Sequence, residues 1–229
     1  MSATRMKLVD SWWFPSFEEH LPQWMASPKG RMILNGRPAY QGKKQLALLA
    51  EAVRVKGTLN RIVDVGAHVG LWSYNFAPAC QVVEAFEPVS LHRACFELNV
   101  LQPLADPTRV NLHACALGVS EGSVSIRTGP ASSGDSWVGG AGDIPMVTLD
   151  SFNFTHVDVI KIDCEGYEEN VLRGAMDTIR RCRPVILVEQ KRDMASSRFG
   201  LQQLGAVHLL QEVGYTIADE MSGDYLMRP

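Results

Sequence analysis

Acidic side chains lie where several apolar runs of the sequence end. Asp64 precedes the turn 66–70, Glu87 follows the run 81–86, and Asp163 closes the run 157–163. In an open α/β sheet the ligand binds beyond the carboxyl ends of the strands, at the point where the strand order reverses. We therefore expect these carboxylates to surround one ligand that offers hydroxyl groups and a positive centre.

The turn itself argues against two common phosphate ligands. It reads Gly-Ala-His-Val-Gly, so His68 stands where a dinucleotide-binding turn needs a glycine to bring its backbone close to a pyrophosphate. No Gly-Lys-Ser/Thr follows, which excludes a P-loop. The sequence favours a ligand with an adenosine ribose and a cationic centre, and S-adenosylmethionine is such a ligand. For Asp64 alone, a carboxylate that stabilises the turn is the simpler interpretation.

A second charged cluster follows in the stretch 161–168, Lys-Ile-Asp-Cys-Glu-Gly-Tyr-Glu. Lys161 and Asp163 are expected on one side of a strand, with Glu165 just past its end. A lysine in an apolar parallel strand needs a partner, and Glu189 at the end of the next strand is the expected one. A satisfied Lys161–Glu189 pair is one interpretation; the alternative is that Lys161 positions Asp163 or an acceptor. For Glu165 and Glu168, stabilisation of a helix start is the alternative to a catalytic role.

Methyl transfer to an alcohol would require a general base, because the acceptor loses its proton as it attacks. The candidates are Asp163, Glu165 and His68, and we favour the carboxylates because the histidine belongs to the cofactor turn. The six histidines show no metal-ligand spacing and no Cys-x-x-Cys motif occurs. We therefore predict no metal site.

The elements that position these residues alternate between β-type runs and helical segments. The β-type runs are 61–65, 81–86, 110–116, 157–163, 184–189, 215–218 and 225–228. The helical candidates between them are 90–100, 168–183 and 201–213. Strands that alternate with helices predict a parallel sheet covered on both faces. Too few residues separate the last two runs for a helical crossover, so they should form an antiparallel hairpin.

Residues 1–60 are interpreted as an N-terminal extension, and 61–229 as the main domain. The stretch 42–57 predicts a helix with Leu46, Leu49, Ala50 and Val53 on its buried face. The residues before it, 37–44, offer Tyr40 or Gln41 to the cofactor. Five aromatic side chains nearer the N-terminus are interpreted either as a lid over the acceptor pocket or as a homodimer interface: Trp12, Trp13, Phe14, Phe17 and Trp24.

The segment 128–145 is rich in glycine and serine and is too long for a simple connection. It is interpreted as a loop, either a functional lid or an exposed insertion without a role. The net charge of −3 on 229 residues argues against a general binder of polyanions. The sequence has neither an apolar run long enough for a membrane span nor the apolar core of a signal peptide, and its five cysteines are scattered singly. We therefore expect a cytoplasmic protein with reduced thiols.

The sequence resembles the FkbM-type S-adenosylmethionine-dependent methyltransferases from about residue 61 to residue 189. The matching pieces include VDVGAHVGLWS, VEAFEPVSLHRACFELNV, LHACALGVSEGSVSI and RPVILVE. The most specific piece is IKIDCEGYEENVLRGA, whereas GAHVG alone would be weak. The resemblance implies a Rossmann-like class I methyltransferase fold, with a mostly parallel seven-stranded sheet that ends in an antiparallel hairpin.

The resemblance also implies roles for individual residues. Five would surround the methionine part of the cofactor: Asp64, Gly66, Ala67, His68 and Gly70. Glu87 would hold the ribose hydroxyls and Pro88 would lie beside the adenine, which Ala116 and Leu117 would flank. Asp163 would face the amino group of the cofactor or the acceptor.

The residues and the resemblance together predict S-adenosylmethionine-dependent methyl transfer. The resemblance alone implies that the acceptor is a hydroxyl group of a small molecule or sugar. Asp163, Glu165 and Lys161 are the candidate catalytic residues. One alternative is a nicotinamide-dependent oxidoreductase, against which His68 and the terminal hairpin argue. Others are a binding module that keeps only the cofactor pocket, and a methyltransferase that acts on nucleic acid or protein.

Overall fold

The computed structural model describes residues 5–28, 30, 32–130, 132–191 and 193–229. The N-terminal part contains two small antiparallel hairpins and two helices. In chain order these elements are β1 (Met6–Val9), β2 (Trp12–Pro15), α1 (His20–Ala26), β3 (Ile33–Leu34), β4 (Arg37–Pro38) and α2 (Gly42–Lys56).

The rest of the chain alternates between strands and helices. In chain order the elements are β5 (Leu59–Val65), α3 (Ser73–Phe76), β6 (Cys80–Phe86), α4 (Ser90–Phe96), β7 (Val110–His113), β8 (Ala116–Leu117), β9 (Gly122–Thr128), β10 (Ser136–Val147), β11 (Val157–Ile162), α5 (Glu168–Arg173), α6 (Met176–Cys182), β12 (Val185–Glu189), α7 (Met194–Phe199), α8 (Gly205–Glu212), β13 (Thr216–Met221) and β14 (Asp224–Arg228). None of the helices in the described ranges combines the length and the apolar character needed to cross a membrane.

The main sheet has seven strands in the order β13-β14-β12-β11-β5-β6-β7. Strands β12, β11, β5, β6 and β7 are parallel, and β14 and β13 complete the sheet as an antiparallel hairpin. The strand order reverses between β5 and β11, because the chain first adds β6 and β7 on one side and then β11 and β12 on the other. The fold and the terminal hairpin predicted from the sequence are confirmed.

The register brings four strand ends to the same level. A single row of paired residues crosses the sheet through Phe86, Val65, Ile162 and Val188. The residues that immediately follow this row are Glu87, Gly66, Asp163 and Glu189. Parallel pairing therefore places three carboxylates and the first glycine of the turn along one edge of the sheet, which is where α/β proteins bind ligands.

Apolar side chains cover both faces of the sheet. On one face Val171, Leu172, Ile179 and Leu210 pack from α5, α6 and α8. On the other, Leu48, Phe76 and Phe96 pack from α2, α3 and α4. The strands between them are almost wholly buried; all six residues of β11 are. This two-sided burial explains why the strands are nearly all apolar, as in other parallel sheets.

The buried face of α2 differs from the prediction. Its buried residues include Gln45, Leu48 and Ala52, whereas Leu46 and Val53 are 46% and 53% exposed. Apolar residues on this helix fit two overlapping helical faces. The sheet contacts the face that contains Leu48, so the sequence prediction chose the wrong one.

Three other predicted elements also differ. Residues 168–183 form two helices, and the junction between them contains Gly174, where a Cβ would lie 1.9 Å from the Gly118 carbonyl oxygen. The strand expected at 110–116 ends at His113, and Ala116 pairs with β10 in a separate three-stranded sheet. The helix expected from residue 201 begins at Gly205, after Leu204 in a left-handed conformation.

The segment 128–145 is not a loop. Most of it belongs to the long strand β10, which pairs antiparallel with β9 and closes a β-hairpin. Gly139 lies where a Cβ would be 2.7 Å from the Arg127 side chain, and Gly142 where it would be 2.5 Å from the Ser125 backbone. The glycines thus permit close approach and irregular pairing in a strand, rather than marking a flexible connection.

Candidate active site

The turn after β5 is tied to both neighbouring strands. Gly66 has φ +74°, and a Cβ there would lie 2.0 Å from the Asp163 carbonyl oxygen, so no larger residue fits. The backbone N–H groups of Gly66 and Ala67 both donate to the Phe86 carbonyl oxygen, at 3.1 and 3.0 Å. Gly70 packs against Phe96 and lines neither of the cavities described below. The turn is therefore a rigid support at the point where the strand order reverses.

Glu87 is held by the turn and by the chain that follows it. Its Oε2 accepts the backbone N–H of His68 at 2.9 Å, and its Oε1 accepts the backbone N–H of Val89 at 2.8 Å. His92 also lies 3.2 Å from Oε1. An ionised carboxylate has about four acceptor positions, so Glu87 retains capacity for hydroxyl groups of a ligand.

A narrow cavity lies over the end of β6. Its walls include Glu87, Pro88, Ala116 and Leu117, four residues that the sequence assigned to the ribose and adenine. Gly66 and Asp163 close it towards the turn, and further lining comes from Cys164 and Tyr167. The β9–β10 hairpin adds Ile126 and Trp137 to the wall.

A larger cavity of about 480 Å³ adjoins the narrow one and shares Gly66 and Asp163 with it. Ala67, His68 and Lys161 of the predicted site line it, as does Tyr40. Three parts of the chain around the sheet edge add to the lining: His20 and Leu21 from α1, Ser132, Gly134 and Asp135 from the hairpin tip, and Met194 and Arg198 from α7.

Lys161 has a different partner from the one predicted. Its Nζ lies 3.3 Å from Asp64 Oδ1 and 3.8 Å from Asp163 Oδ2, and it donates to the Gly66 carbonyl oxygen at 3.0 Å. Burial alone would lower the pKa of Lys161, but Asp64 and Asp163 raise it above its usual value. The prediction of a Lys161–Glu189 pair is wrong, because register places Asp64 directly beside Lys161 whereas Glu189 binds Lys191.

Asp64 lies beneath the turn and lines neither cavity. Its side chain is fully buried, and its Oδ2 accepts the Ser73 hydroxyl at 2.6 Å. Its route to a ligand is therefore indirect, through Lys161 and the turn that Lys161 supports. Its predicted contact with the cofactor stays a prediction.

The carboxyl groups of Asp163, Glu165 and Glu189 lie together in the larger cavity, with oxygen atoms within 4.8 Å of one another. Although burial opposes it, the charges of Lys161 and Lys191 hold the pKa of Asp163 below its usual value. Burial and the neighbouring Asp163 raise the pKa of Glu165 to about 7. Burial and Asp163 also raise the pKa of Glu189 well above its usual value, against the charge of Lys191.

Arg198 is the arginine beside this cluster of three carboxyl groups, and it is already paired. Arg198 donates to Glu165 Oε2 at 3.3 Å and to Asp135 at 2.7 Å, and its guanidinium lies 4.3 Å above the Trp137 ring. Among the described residues these three carboxylates are the group with a spacing that could hold a metal ion. The absence of a metal site therefore stays a prediction.

Glu168 has a structural position. Its Oε1 accepts the backbone N–H groups of Cys164 and Gly166 at 3.0 and 2.9 Å, so it stabilises the turn before α5. Glu165, by contrast, reaches the larger cavity. Stabilisation of a helix start, the alternative predicted for Glu165 and Glu168, fits Glu168.

Two of the five N-terminal aromatic side chains are fully covered within the chain. Trp12 and Phe14 are 0% exposed and lie in a cluster with Val69 and Leu71 of the turn region. Phe17 is 39% exposed. The homodimer interface stays a prediction. His20 and Leu21, which lie in the same N-terminal segment, line the larger cavity. None of the five aromatic residues of the predicted lid is among its lining residues.

The sequence prediction missed the residues that enclose the larger cavity. His20, Asp135 and Arg198 lie far apart in the chain and carry no motif, so only the tertiary structure brings them together. Trp137 lies in the irregular strand β10 and had no usable signal. For Ile126, the alternation of Val124 and Ile126 with polar residues is typical of a strand. The neighbouring glycines outweighed it.

Comparison with known proteins identifies the family. Residues 64–217 match the model of the methyltransferase FkbM domain. No curated protein matches the chain by sequence. Among solved structures, methyltransferase FkbM from Methylobacillus flagellatus KT is similar, with 20% identity, a TM-score of 0.53, and coverage of 74% of this chain and 43% of that one. This chain thus aligns with less than half of that relative's length.

A protein from Corynebacterium glutamicum also shares the fold, with 12% identity, a TM-score of 0.53, and coverage of 83% of this chain and 82% of that one. At these identities the two structures support the fold, whereas the family model covers more than half of the chain. The chain therefore belongs to the FkbM family of methyltransferases.

Proposed function

We propose that this protein is an S-adenosylmethionine-dependent O-methyltransferase that acts on a hydroxyl group of a small molecule or sugar. The observation that carries the proposal is the junction of two cavities at Gly66 and Asp163. The narrow cavity has the lining expected for an adenosine group, and the larger one contains three neighbouring carboxyl groups. A donor that spans the junction would present its reactive centre to the larger cavity.

The residues of the narrow cavity fit the adenosine part of the cofactor. Glu87 would accept the ribose hydroxyls with the lone pairs that His68 and Val89 leave free. Pro88, Ala116 and Leu117 supply apolar contacts for the adenine ring. Such a pocket, mostly apolar with one oriented polar group, is typical of small-molecule sites.

The residues of the turn fit the methionine part. Gly66, Ala67 and His68 would line it, and the ionised Asp163 would face its amino group. Asp64 would act from below by holding Lys161, and Gly70 would act by close packing against Phe96. His68 stays neutral at neutral pH, since burial, His92 and Lys161 lower its pKa, so it adds no positive charge beside a sulfonium.

When bound, S-adenosylmethionine supplies an activated methyl group. The protein then has to align the acceptor oxygen with that group. Alignment alone can lower the activation barrier, by up to about 7–11 kcal/mol when the geometry is ideal. The larger cavity provides the space, and its carboxyl groups can orient a hydroxyl and accept its proton. Lys161 keeps Asp163 ionised and in place, which makes it a positioning residue.

Calorimetry with S-adenosylhomocysteine and with NAD tests the cofactor. We expect S-adenosylhomocysteine to bind and NAD not to bind. Glu87→Ala should weaken binding about 10- to 100-fold, because it removes charged hydrogen bonds to the ribose. The matched control is Glu97→Ala, since Glu97 is exposed and lies outside both cavities. Tight binding of NAD alone would overturn the proposal.

A panel of hydroxylated small molecules and sugars tests the acceptor, with transfer of a labelled methyl group as the readout. Wild-type protein should methylate at least one class, and Asp163→Ala should lose that activity. Methylation of amines or nucleic acid with no transfer to any hydroxyl would contradict the proposed acceptor while leaving the cofactor assignment intact.

A further inference from the structure

Glu189 is the last residue of β12 and lies in the larger cavity. It follows Val188, whose partner in β11 is Ile162, so Glu189 and Asp163 leave neighbouring strands at the same level. Its side chain is only 5% exposed. This is a costly position for a carboxyl group, and its cost calls for an explanation beyond folding.

The three carboxyl groups of the cavity are not equivalent. Glu165 is held by Arg198, which also binds Asp135 and stacks on Trp137. Asp163 lies next to Lys161 and faces the junction with the narrow cavity. Glu165 and Glu189 both line the larger cavity and do not line the narrow one. Of these two, Glu189 is the one that leaves the sheet edge beside Asp163, and Lys191 donates to its Oε1.

We propose that Glu189, which lies beside Asp163 in the larger cavity, is the residue that takes the proton of the acceptor hydroxyl. This inference rests on the methyl transfer proposed above. The acceptor oxygen forms its bond to the methyl carbon, the electron pair of the carbon–sulfur bond stays on sulfur, and the hydroxyl proton passes to the Glu189 carboxylate. Charge balances, because the sulfonium and the carboxylate are both neutralised.

The surroundings of Glu189 support this role. Burial and Asp163 raise its pKa, Lys191 opposes them, and Glu165 adds to them. A proton shared by the Asp163–Glu189 pair therefore resides on Glu189, and the pair loses it only as the pH rises. The titratable and charged groups that face the pair are Tyr40, Lys44, Lys161, Glu165, Lys191, Arg198 and Asp224.

This arrangement fixes the sign of the pH dependence. With one proton on the pair, the next proton would bind Asp163, whose pKa is lowered, so the pair is then a weak base. Once Glu189 has ionised it is a strong base, because its affinity for a proton is raised. Methyl transfer should therefore become faster as the pH rises towards the pKa of Glu189 and then level off.

The test compares the pH profiles of kcat/KM, with an acceptor from the panel, in wild type, Glu189→Gln and Glu165→Gln. Glu189→Gln should lower kcat/KM about 100-fold or more and abolish the alkaline rise, as expected for loss of a general base. Glu165→Gln should keep the rise. Glu189→Asp should keep the rise at a reduced rate, since the shorter carboxylate still accepts a proton.

A second measurement needs no acceptor. In protein with ¹³C-labelled glutamate carboxyl groups, NMR should show that Glu189 titrates well above the ordinary range in wild type, as Glu165 and Glu168 do, and the Glu189 signal alone should be missing from Glu189→Gln. S-adenosylhomocysteine should bind Glu189→Gln within about threefold of wild type, and urea unfolding should show a folded variant. If S-adenosylhomocysteine does not bind to wild type, the proposed function is wrong, whatever the role of Glu189.

Two results would overturn the role of Glu189. One is an unchanged pH profile in Glu189→Gln with normal cofactor binding. The other is activity that EDTA abolishes and a divalent cation restores, because the carboxyl cluster would then hold a cation instead of a proton.

Discussion

Lys161 is a buried cation on which both the turn and the carboxyl cluster depend. Its ammonium group neutralises Asp64 below the turn, approaches Asp163 above it, and donates to the Gly66 carbonyl oxygen between them. A buried ion pair adds little stability compared with apolar residues, but removal of one partner leaves a charge without compensation. Lys161 is therefore needed for stability because it compensates the buried carboxyl group of Asp64.

Lys161→Met should destabilise the protein by about 3–5 kcal/mol, because the buried carboxyl group of Asp64 would lose its ion-pair partner. The double variant Lys161→Met, Asp64→Asn should recover part of that loss, since the amide of Asn still accepts the Ser73 hydroxyl. Urea unfolding at neutral pH measures both free energies. Equal losses in the single and double variants would show that the destabilisation has another cause.

The residues around the narrow cavity could be predicted from the sequence, and those that enclose the larger cavity could not. Gly66, Glu87, Pro88, Ala116 and Leu117 follow from the ends of consecutive strands and from the family motifs, and the structure brings them to one cavity. Such contacts are local to strand ends and leave a pattern in the sequence. The partner of Lys161 was mispredicted because it depends on the register between β5 and β11, which the sequence does not encode in any short motif.

The β9–β10 hairpin connects distant parts of the chain above the sheet. Near its tip the Ser133 hydroxyl donates to Glu18 Oε2 at 2.6 Å, and His68 Nε2 lies 2.8 Å from the same hydroxyl oxygen. Because the hydroxyl proton goes to Glu18, the histidine carries its proton on Nε2 and donates to Ser133. On the other side of the tip, Asp135 binds Arg198 of α7.

Ser133→Ala should loosen the hairpin tip without unfolding the protein. The variant loses both bonds of the hydroxyl group, while the backbone N–H of Ser133 still donates to Glu18. We expect faster amide hydrogen exchange at residues 132–136, by roughly tenfold for loss of about 1–1.5 kcal/mol of local stability. The matched control is Ser123→Ala, at an exposed position of β9 in the same hairpin. Equal exchange in the two variants would rule out the link.

The hairpin also explains why segment 128–145 was misinterpreted. Gly139 and Gly142 lie close to atoms of β9, and the pairing shifts register twice, around Gly140. Irregular strands of this kind do not alternate between polar and apolar residues, so periodicity cannot reveal them. The main-sheet strands, buried on both faces, were recognisable as continuous apolar runs.

Across the whole chain, the N-terminal segment and the domain that follows form one packed unit. Trp12 donates its indole N–H to the Pro38 carbonyl oxygen and meets the Tyr74 ring edge to face. Asn99 binds both the N–H and the carbonyl oxygen of Trp13, and also the Val69 carbonyl oxygen in the turn. The segment thus supports the back of the cofactor turn as well as the cavity.

The stability of the protein should depend on pH through its buried carboxyl groups. Burial raises the pKa of Glu168 to about 7, from an ordinary value of 4.5. The folded state then binds more protons than the unfolded state between these values, so stability is fully present below about pH 4.5 and decreases as the pH rises towards 7. Other buried groups contribute too, and a variant isolates the share of Glu168.

Glu168→Gln should remove that share, because the amide keeps the acceptor for Cys164 and Gly166 but cannot ionise. Relative to wild type, the variant should gain about 3 kcal/mol of stability between pH 4.5 and 8, from a pKa difference of about 2.5 units. Urea unfolding at a series of pH values measures the difference. A difference that does not change with pH would show that Glu168 titrates normally in the folded state.

His68 has φ +52°, a left-handed conformation that costs a residue other than glycine about 1–2 kcal/mol. Its side chain offsets this cost by joining the cofactor turn to Glu18 and to the hairpin through one hydroxyl group. A ligand bound at the turn and a ligand enclosed by the hairpin would then affect the same hydrogen bonds. By thermodynamic reciprocity, if the methyl donor changes the affinity for the acceptor by some factor, the acceptor changes the affinity for the methyl donor by the same factor.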